Sequence, residues 1–472
     1  MEDARDFTLE QGCFTLAMLS YLGTQNASPD AINDVLLRVA LDEALEKFAP
    51  VRGRWEMAWG PVTYTAPFTL FADSGAFIVR DRWKPSRLCV VVRGTNPYSA
   101  FDWVYGDIWV DRVVPWRFGN RTRVPGAALS LSSALGLSIL ENMRWFEFPD
   151  LGLEAFRDFI RQRLLAPAEW TAKQLLGPLQ AELSGWIDRG RGALAREQTA
   201  LLSERDALAH DLEQRLAAFA RIRNAPSTLR LRKHLDHSLR RALGGAEIDL
   251  LHLMEGVQRF HSFLHPGQSI QGFLEQEVRR SRETGDGSLD VYVTGHSKGG
   301  ALAPVVAQWL SDTRRTWRSG WNRELDARIH CYAFAGPTPG NRAFAQLSDR
   351  TLEDRGHRIS NRHDVVPHSW AVPSRHFEPH LDLLQVPDLY RSTDHVSPRA
   401  HKLLSGLIDG IADDVGPLAY AHVGGDVRLF EGKLDEDSRD FFTHLLNQHT
   451  KAYIRELGLE RYLNLSDLFT LL

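Results

Sequence analysis

What the chain has least of is sulfur and uninterrupted apolar sequence. Three cysteines, Cys13, Cys89 and Cys331, in 472 residues are too few and too odd in number for a disulfide framework. Two of them stand in apolar, strand-like runs, so buried free thiols of a reducing compartment are expected. No apolar run approaches the roughly 18 residues that a membrane span needs. The opening "MEDARDFTLEQG" is acidic and carries no apolar stretch of the secretory kind, so the expectation is a cytoplasmic protein, with export by a signal-independent route left open. Net charge is also small, -4 with 25% charged residues, which argues against a general nucleic-acid binder. The 43% hydrophobic content is enough to build a large core.

Organisation changes twice along the chain. Residues 1–149 begin with an amphipathic helix pattern and turn strand-like in "TLFADSGAFIVRD" and "SRLCVVVRGTNPYSAFDW", with Gly, Pro and Asp as punctuation. Over 150–280 the strand signals vanish; Leu201, Leu208, Leu212, Leu216 and Phe219 recur at helical spacing between charges, predicting an all-helical insertion. Alternation returns over 281–472, with strand "LDVYVTG", a helix, strand "RIHCYAFAGP", then "HRISNRHDVVP" and finally "YAHVGGDVRLFEG". Strands alternating with helices predict a mostly parallel sheet covered on both faces. No internal repeat or low-complexity linker interrupts the chain.

The most informative segment is "VYVTGHSKGGALAPVVAQWL". A β-branched run ends at Gly295 and a helical pattern starts at once, with Ser297 between Gly295 and Gly299. This is the G-x-S-x-G arrangement of a nucleophile elbow: small neighbours tolerate a sharp turn that lifts a serine hydroxyl above the sheet edge, beside the free N–H groups of a helix start. A serine hydroxyl is a weak nucleophile and needs a histidine base, which in turn needs a carboxylate to fix its tautomer. On such a sheet the order along the chain is Ser, Asp, His. "NRHDVVP" supplies Asp364 just beyond a predicted strand. Chain order then favours a histidine after the last strand, either His444 or His449 in "SRDFFTHLLNQHTKAYI". Five residues apart on one predicted helix, they differ in direction by about 140°, so at most one faces Ser297; His449 is preferred.

Together, "VVRGTN" (91–96), "GHSKGG" (295–300), "YAFAGPTPGN" (332–341), "NRHDVVP" (361–367), "YAHVGG" (420–425) and "HTKAYI" (449–454) give the chain a resemblance to the class 3, fungal-type triacylglycerol lipases. The elbow alone is a weak signal and the ordered set a strong one. The resemblance covers about 1–130 and 280–460, and implies an α/β-hydrolase fold: a mostly parallel central sheet flanked by helices, here with a large helical insertion. It implies Ser297, Asp364 and His449 as the catalytic set and Thr95 as the oxyanion-hole hydroxyl residue, acting with the backbone N–H of Lys298. His422 is implied to be structural. No metal or organic cofactor is implied. The expected activity is serine ester hydrolysis of glycerolipids or phospholipids through an acyl-serine. A non-lipid esterase or acyltransferase is the alternative within enzymes, and a lipase-like signalling scaffold the alternative outside them.

Two features depart from the family pattern. Lys298 is a cation where an apolar residue is usual, at a helix start whose dipole disfavours it; a carboxylate neighbour, solvent or an acidic lipid head group would offset that. The insertion is the other departure. Within it, residues 221–243 hold seven Arg or Lys against one Asp, with Leu231, Leu235, Leu239 and Leu243 at i+4, a basic amphipathic pattern suited to an anionic membrane surface or to a neighbouring acidic helix. Two apolar stretches also bear on substrate: "RVPGAALSLSSALGLSIL" (123–140) fits an acyl-groove wall or a buried core helix, and the tryptophans of "AFDWVYGDIWVDRVVPWRF" fit a site lining, a lipid interface or core packing.

Overall fold

The computed structural model describes residues 4–22, 30–64, 74–94, 110, 112–119, 124–145, 267–315, 320–324, 327–393, 396–424, 426–434 and 441–464. Helices α1 (Leu9–Leu19) and α2 (Asp30–Lys47) lead into strands β1 (Trp55–Tyr64), β2 (Ser74–Asp81) and β3 (Lys84–Val92). Short strands β4 (Val113–Pro115) and β5 (Ala128–Ser130) precede α3 (Leu131–Asn142). Beyond the insertion come α4 (Ile270–Thr284), β6 (Asp290–His296), α5 (Lys298–Thr313), β7 (Arg328–Phe334), β8 (Gly340–Asn341), α6 (Arg342–Leu352) and β9 (Gly356–Asn361). The chain closes with α7 (Pro398–Val415), β10 (Tyr420–Ala421), β11 (Asp426–Phe430), α8 (Phe441–His449) and α9 (Lys451–Glu456).

Seven strands form the main sheet in the order β1-β2-β3-β6-β7-β9-β11, and four short ones form a second, β10-β8-β5-β4. The first three are antiparallel neighbours. From β3 through β6, β7 and β9 to β11 all pairings are parallel. Side chains alternate between two cores. Val90, Val291 and Val293 point to the face covered by α3, α4, α5 and α6. Cys89, Tyr292, Phe334 and Ile359 point to the face covered by α1, α2 and α9. Being covered twice, β6 is buried at every one of its residues, as its continuous apolar run predicts. All three cysteines are buried and unbridged.

Several elements differ from the sequence pattern. α1 is not amphipathic in use: every residue from Gly12 to Leu19 is buried, because α9 and α2 wall it against the sheet. Thr8 and Gln11 close a capping box at its start, satisfying two N–H groups that have no partner within the helix. "YAHVGGDVRLFEG" makes two strands in different sheets, separated at Gly424, whose φ of 138° turns the chain and whose N–H donates to Asp349 Oδ1 at 2.8 Å. The 123–140 segment is a core element: α3 buries Leu131, Leu137 and Leu140, and Gly136 lies so close to Leu302 that a Cβ would overlap it. Trp116 from the aromatic stretch is buried against Phe344. α4 runs across the expected boundary at 280 and packs into the main core; the rest of the insertion, and residues 221–243 with it, lies outside the described residues.

The end of the sheet opposite the elbow is fastened by charge. Asp290 at the start of β6 is buried and accepts Lys84 Nζ from β3 at 2.6 Å and Arg328 Nε from β7 at 2.8 Å, with His330 Nε2 at 3.7 Å. Burial alone would raise its carboxyl, but His330, Lys84 and Arg328 outweigh that and hold it well below the usual carboxylate range. A depressed folded-state value stabilises the fold fully above the unfolded value of about 3.9, and that stabilisation is lost as pH falls towards the folded value. Asp290→Asn should therefore lower unfolding free energy at pH 7, and the gap from the parent should narrow below about pH 4 in urea titrations. A gap independent of pH would mean the carboxylate charge is not what matters there.

Candidate active site

The elbow is built by backbone meeting backbone. Ser297 follows β6 with φ 61° and ψ -129°, a conformation costing a non-glycine residue about 1–3 kcal/mol. Its N–H donates to Phe334 O at 3.0 Å, and its carbonyl accepts the first helical bond of α5, from Ala301 N at 3.1 Å. The flanking glycines are required by contact. A Cβ on Gly295 would fall on the Gly299 carbonyl, one on Gly299 on the Val92 carbonyl, and one on Gly300 on the Phe334 carbonyl. The crossing of β6 into α5 is thus wedged between the ends of β3 and β7, with the first N–H groups of α5, Lys298 among them, lacking carbonyls one turn back.

Asp364 lies in the turn after β9 and is fully buried. Such a carboxylate needs donors, and it has three. Oδ1 accepts Val366 N at 3.0 Å, while Oδ2 accepts His449 Nδ1 at 2.8 Å and the Tyr453 hydroxyl at 3.0 Å. Tyr453 in turn accepts Asn361 N at 2.9 Å, and Asn361 Nδ2 donates to the Gln448 carbonyl at 2.9 Å, fastening the end of α8 to the end of β9. Of the two histidines on α8, His449 meets Asp364. His444 is buried edge-on against Tyr390, with centroids 4.6 Å apart. The tautomer follows from geometry: a carboxylate accepts only, so Nδ1 carries the proton and Nε2 is left as the basic nitrogen.

His296, directly before Ser297, stacks obliquely on His449 with centroids 4.6 Å apart. Burial first, then the neighbouring His449, push its pKa well below the ordinary imidazole value, so it is neutral. Tyr21, just beyond α1, reaches in from the opposite end of the chain and places its hydroxyl 2.9 Å from His296 Nδ1. Neither residue stood out in the sequence, nor did Tyr453 as a carboxylate donor. His296 had one signal, its place beside the serine; Tyr21 had none. Thr95 lies outside the described residues, which reach Gly94; a Cβ there would overlap the Tyr21 hydroxyl and approach the His296 carbonyl. Lys298 is partly exposed and makes no ion pair among the described residues. His422 is held by burial, then by the cation of Arg358, well below the ordinary imidazole pKa.

A mostly parallel sheet with a serine elbow at the end of a central strand and a histidine–carboxylate pair beyond later strands is the architecture of the α/β-hydrolase fold. The fold is shared over nearly the full length with a solved structure, the crystal structure of M37 lipase, at TM-score 0.62 and 21% identity, covering 98% of this chain and 96% of that one. Residues 230–373, the segment carrying the elbow and Asp364, match the family model described as Lipase (class 3). Among relatives, phospholipase A(1) DAD1, chloroplastic, of Arabidopsis thaliana is 28% identical over 165 residues, 34% of this chain and 30% of that protein. The secreted mono- and diacylglycerol lipase LIP4 of Malassezia restricta is 33% identical over 115 residues, 24% of this chain and 34% of that protein. The matched stretch thus spans about a third of the length of these relatives.

The packing at the elbow makes a stability prediction. Gly299→Ala sets a methyl against the Val92 carbonyl, which is backbone and cannot swing away. It should cost about 1–3 kcal/mol of unfolding free energy, read from urea denaturation. A neutral substitution would mean the elbow is looser than this packing requires.

Proposed function

We propose that the chain is a serine carboxylic-ester hydrolase, a lipase or phospholipase cleaving acyl esters of glycerolipids. The observation that carries this reading is the combination of a strained elbow serine with a buried His449–Asp364 pair bonded at 2.8 Å, in the chain order Ser, Asp, His. The matched family and the names of the relatives support the lipid ester as substrate. In this mechanism Ser297 Oγ attacks the ester carbonyl carbon while His449 Nε2 takes its proton. The tetrahedral intermediate collapses, the alcohol leaves with that proton, and the acyl group remains on Ser297. Water, deprotonated by the same nitrogen, then attacks the acyl-serine and releases the fatty acid. Asp364 stabilises the imidazolium formed in each half. The backbone N–H of Lys298, with Thr95, cradles the oxyanion; donors of this kind each contribute about 3 kcal/mol.

A fluorophosphonate probe should label Ser297, and Ser297→Ala should abolish both labelling and ester hydrolysis without appreciable change in melting temperature. Asp364→Asn should lower turnover about 10⁴-fold, because the amide favours the wrong imidazole tautomer. A label on another residue overturns the mechanism; no label at all favours a scaffold that only shares the fold.

The second part of the proposal concerns where the enzyme meets lipid. The net charge of +6 over residues 221–243, seven basic less one acidic, suits an anionic bilayer, near which each charge is worth about 1 kcal/mol. Changing Arg230, Arg232, Arg240 and Arg241 to Glu should weaken sedimentation with phosphatidylserine-rich vesicles, and added salt should weaken binding of the parent. Binding indifferent to both would assign the basic segment to the protein itself.

A further inference from the structure

Two buried aromatic groups touch the elbow that the hydrolytic mechanism does not use. Tyr21 is 5% exposed and His296 1% exposed. His296 Nε2 lies 2.8 Å from the His449 carbonyl oxygen, and its Nδ1 lies 2.9 Å from the Tyr21 hydroxyl. The proton positions follow. A carbonyl only accepts, so Nε2 must carry the hydrogen of this neutral ring, and Nδ1 is left as an acceptor. The Tyr21 hydroxyl therefore donates to Nδ1, with the His296 carbonyl at 3.2 Å as a weaker second acceptor. The Tyr21 ring also lies edge-on to that of His296, with centroids 5.8 Å apart, so Tyr21 holds the imidazole by its free nitrogen and by its face.

We propose that Tyr21 and His296 form a neutral strap that positions Ser297 against His449, with Tyr21 fixing the tautomer and orientation of His296 and His296 tying the elbow to the main chain of the base. The inference rests on the hydrolase reading and extends it. Both are positioning residues, acting through Ser297 and His449 rather than on substrate. The order of bonds is directional: Tyr21 hydroxyl to His296 Nδ1, His296 Nε2–H to the His449 carbonyl, and His449 Nδ1–H to Asp364, which leaves the Ser297 hydroxyl hydrogen for His449 Nε2. Being uncharged, the strap fixes geometry without opposing the positive charge that develops on His449, which a cationic histidine 4.6 Å away would do.

The test uses the full chain, a soluble short-chain ester and the fluorophosphonate probe. Tyr21→Phe should lower kcat and the labelling rate about tenfold with KM within about twofold, the size of one neutral hydrogen bond. His296→Leu should lower kcat about 100-fold. His296→Gln, whose amide N–H reaches the His449 carbonyl, should recover at least tenfold of that. The Tyr21→Phe and His296→Leu losses should not add in the double variant, since Tyr21 acts partly through His296. Nitrogen-15 spectra of the parent should show His296 as the neutral Nε2–H tautomer. A Tyr21→Phe protein with full kcat, equal losses in the Gln and Leu variants, or an Nδ1–H tautomer overturns the strap while leaving Ser297 labelling intact. A parent that takes no label overturns the hydrolase reading and the strap's positioning role with it.

Discussion

The main chain at the elbow packs against itself with no room for a side-chain carbon, and the rest of the site depends on that constraint. Gly295 and Gly299 touch across the turn, Gly299 touches the end of β3, and Gly300 touches the end of β7. Three strands and one helix are thereby locked at a single point. Ser297 stands there in a left-handed conformation that nothing local favours. The strain is borne by the two cores packed on the opposite faces of β6. The order of cause runs from packing to posture: the sheet positions the turn, and the turn positions the hydroxyl.

Around that point one buried carboxylate is held by hydrogen bonds, with the buried cations Arg93 and Arg358 acting on the tyrosines nearby. Asp364 is the carboxylate, and it is satisfied by a main-chain N–H, an imidazole N–H and a phenol. The other groups in contact are neutral aromatics. Burial, foremost, pushes the Tyr453 hydroxyl far above its ordinary pKa and keeps it a donor. The same cause raises Tyr21. Leaving a buried carboxylate short of donors would cost several kcal/mol, so the segment that brings His449 at the end of α8 brings Tyr453 on α9 too. One turn of α9 beyond the base does this, which explains why "HTKAYI" reads as a unit: the histidine and the tyrosine clasp the same oxygen.

How far the sequence foretold this depends on whether a feature is local. The elbow was legible because strand, glycines, serine and helix are contiguous, and each constrains the next. Asp364 was legible because a predicted strand ends just before it. The choice between His444 and His449 needed the periodicity of one helix and the rule of chain order, and the geometry then set His449 on Asp364 and His444 against Tyr390. Tyr21 was invisible: 275 residues separate it from His296, and a tyrosine near a helix end has no pattern. α1 misled for a similar reason. Its residues are apolar on one side and small or weakly polar on the other, and only the arrival of α9 from the far end of the chain decides that both sides are covered. "YAHVGGDVRLFEG" carried one apolar rhythm through a glycine pair, and rhythm alone cannot show that the two halves pair with different sheets.

The burial of α1 has a further meaning for how the protein comes into being. Gln11 Nε2 donates to the Leu457 carbonyl at 2.7 Å across 446 residues, and Arg428 reaches Glu10 at 2.7 Å. Cys13 offers its carbonyl to Thr294 at 3.3 Å, on the strand that leads into the elbow. The helix made among the first residues is therefore finished only by residues near the last, and Asp364 receives two of its three donors from beyond position 448. Until residues 449–457 fold back, α1 lacks the carbonyl that Gln11 meets and Asp364 lacks His449 and Tyr453 together, so one segment completes both the helix and the carboxylate's shell.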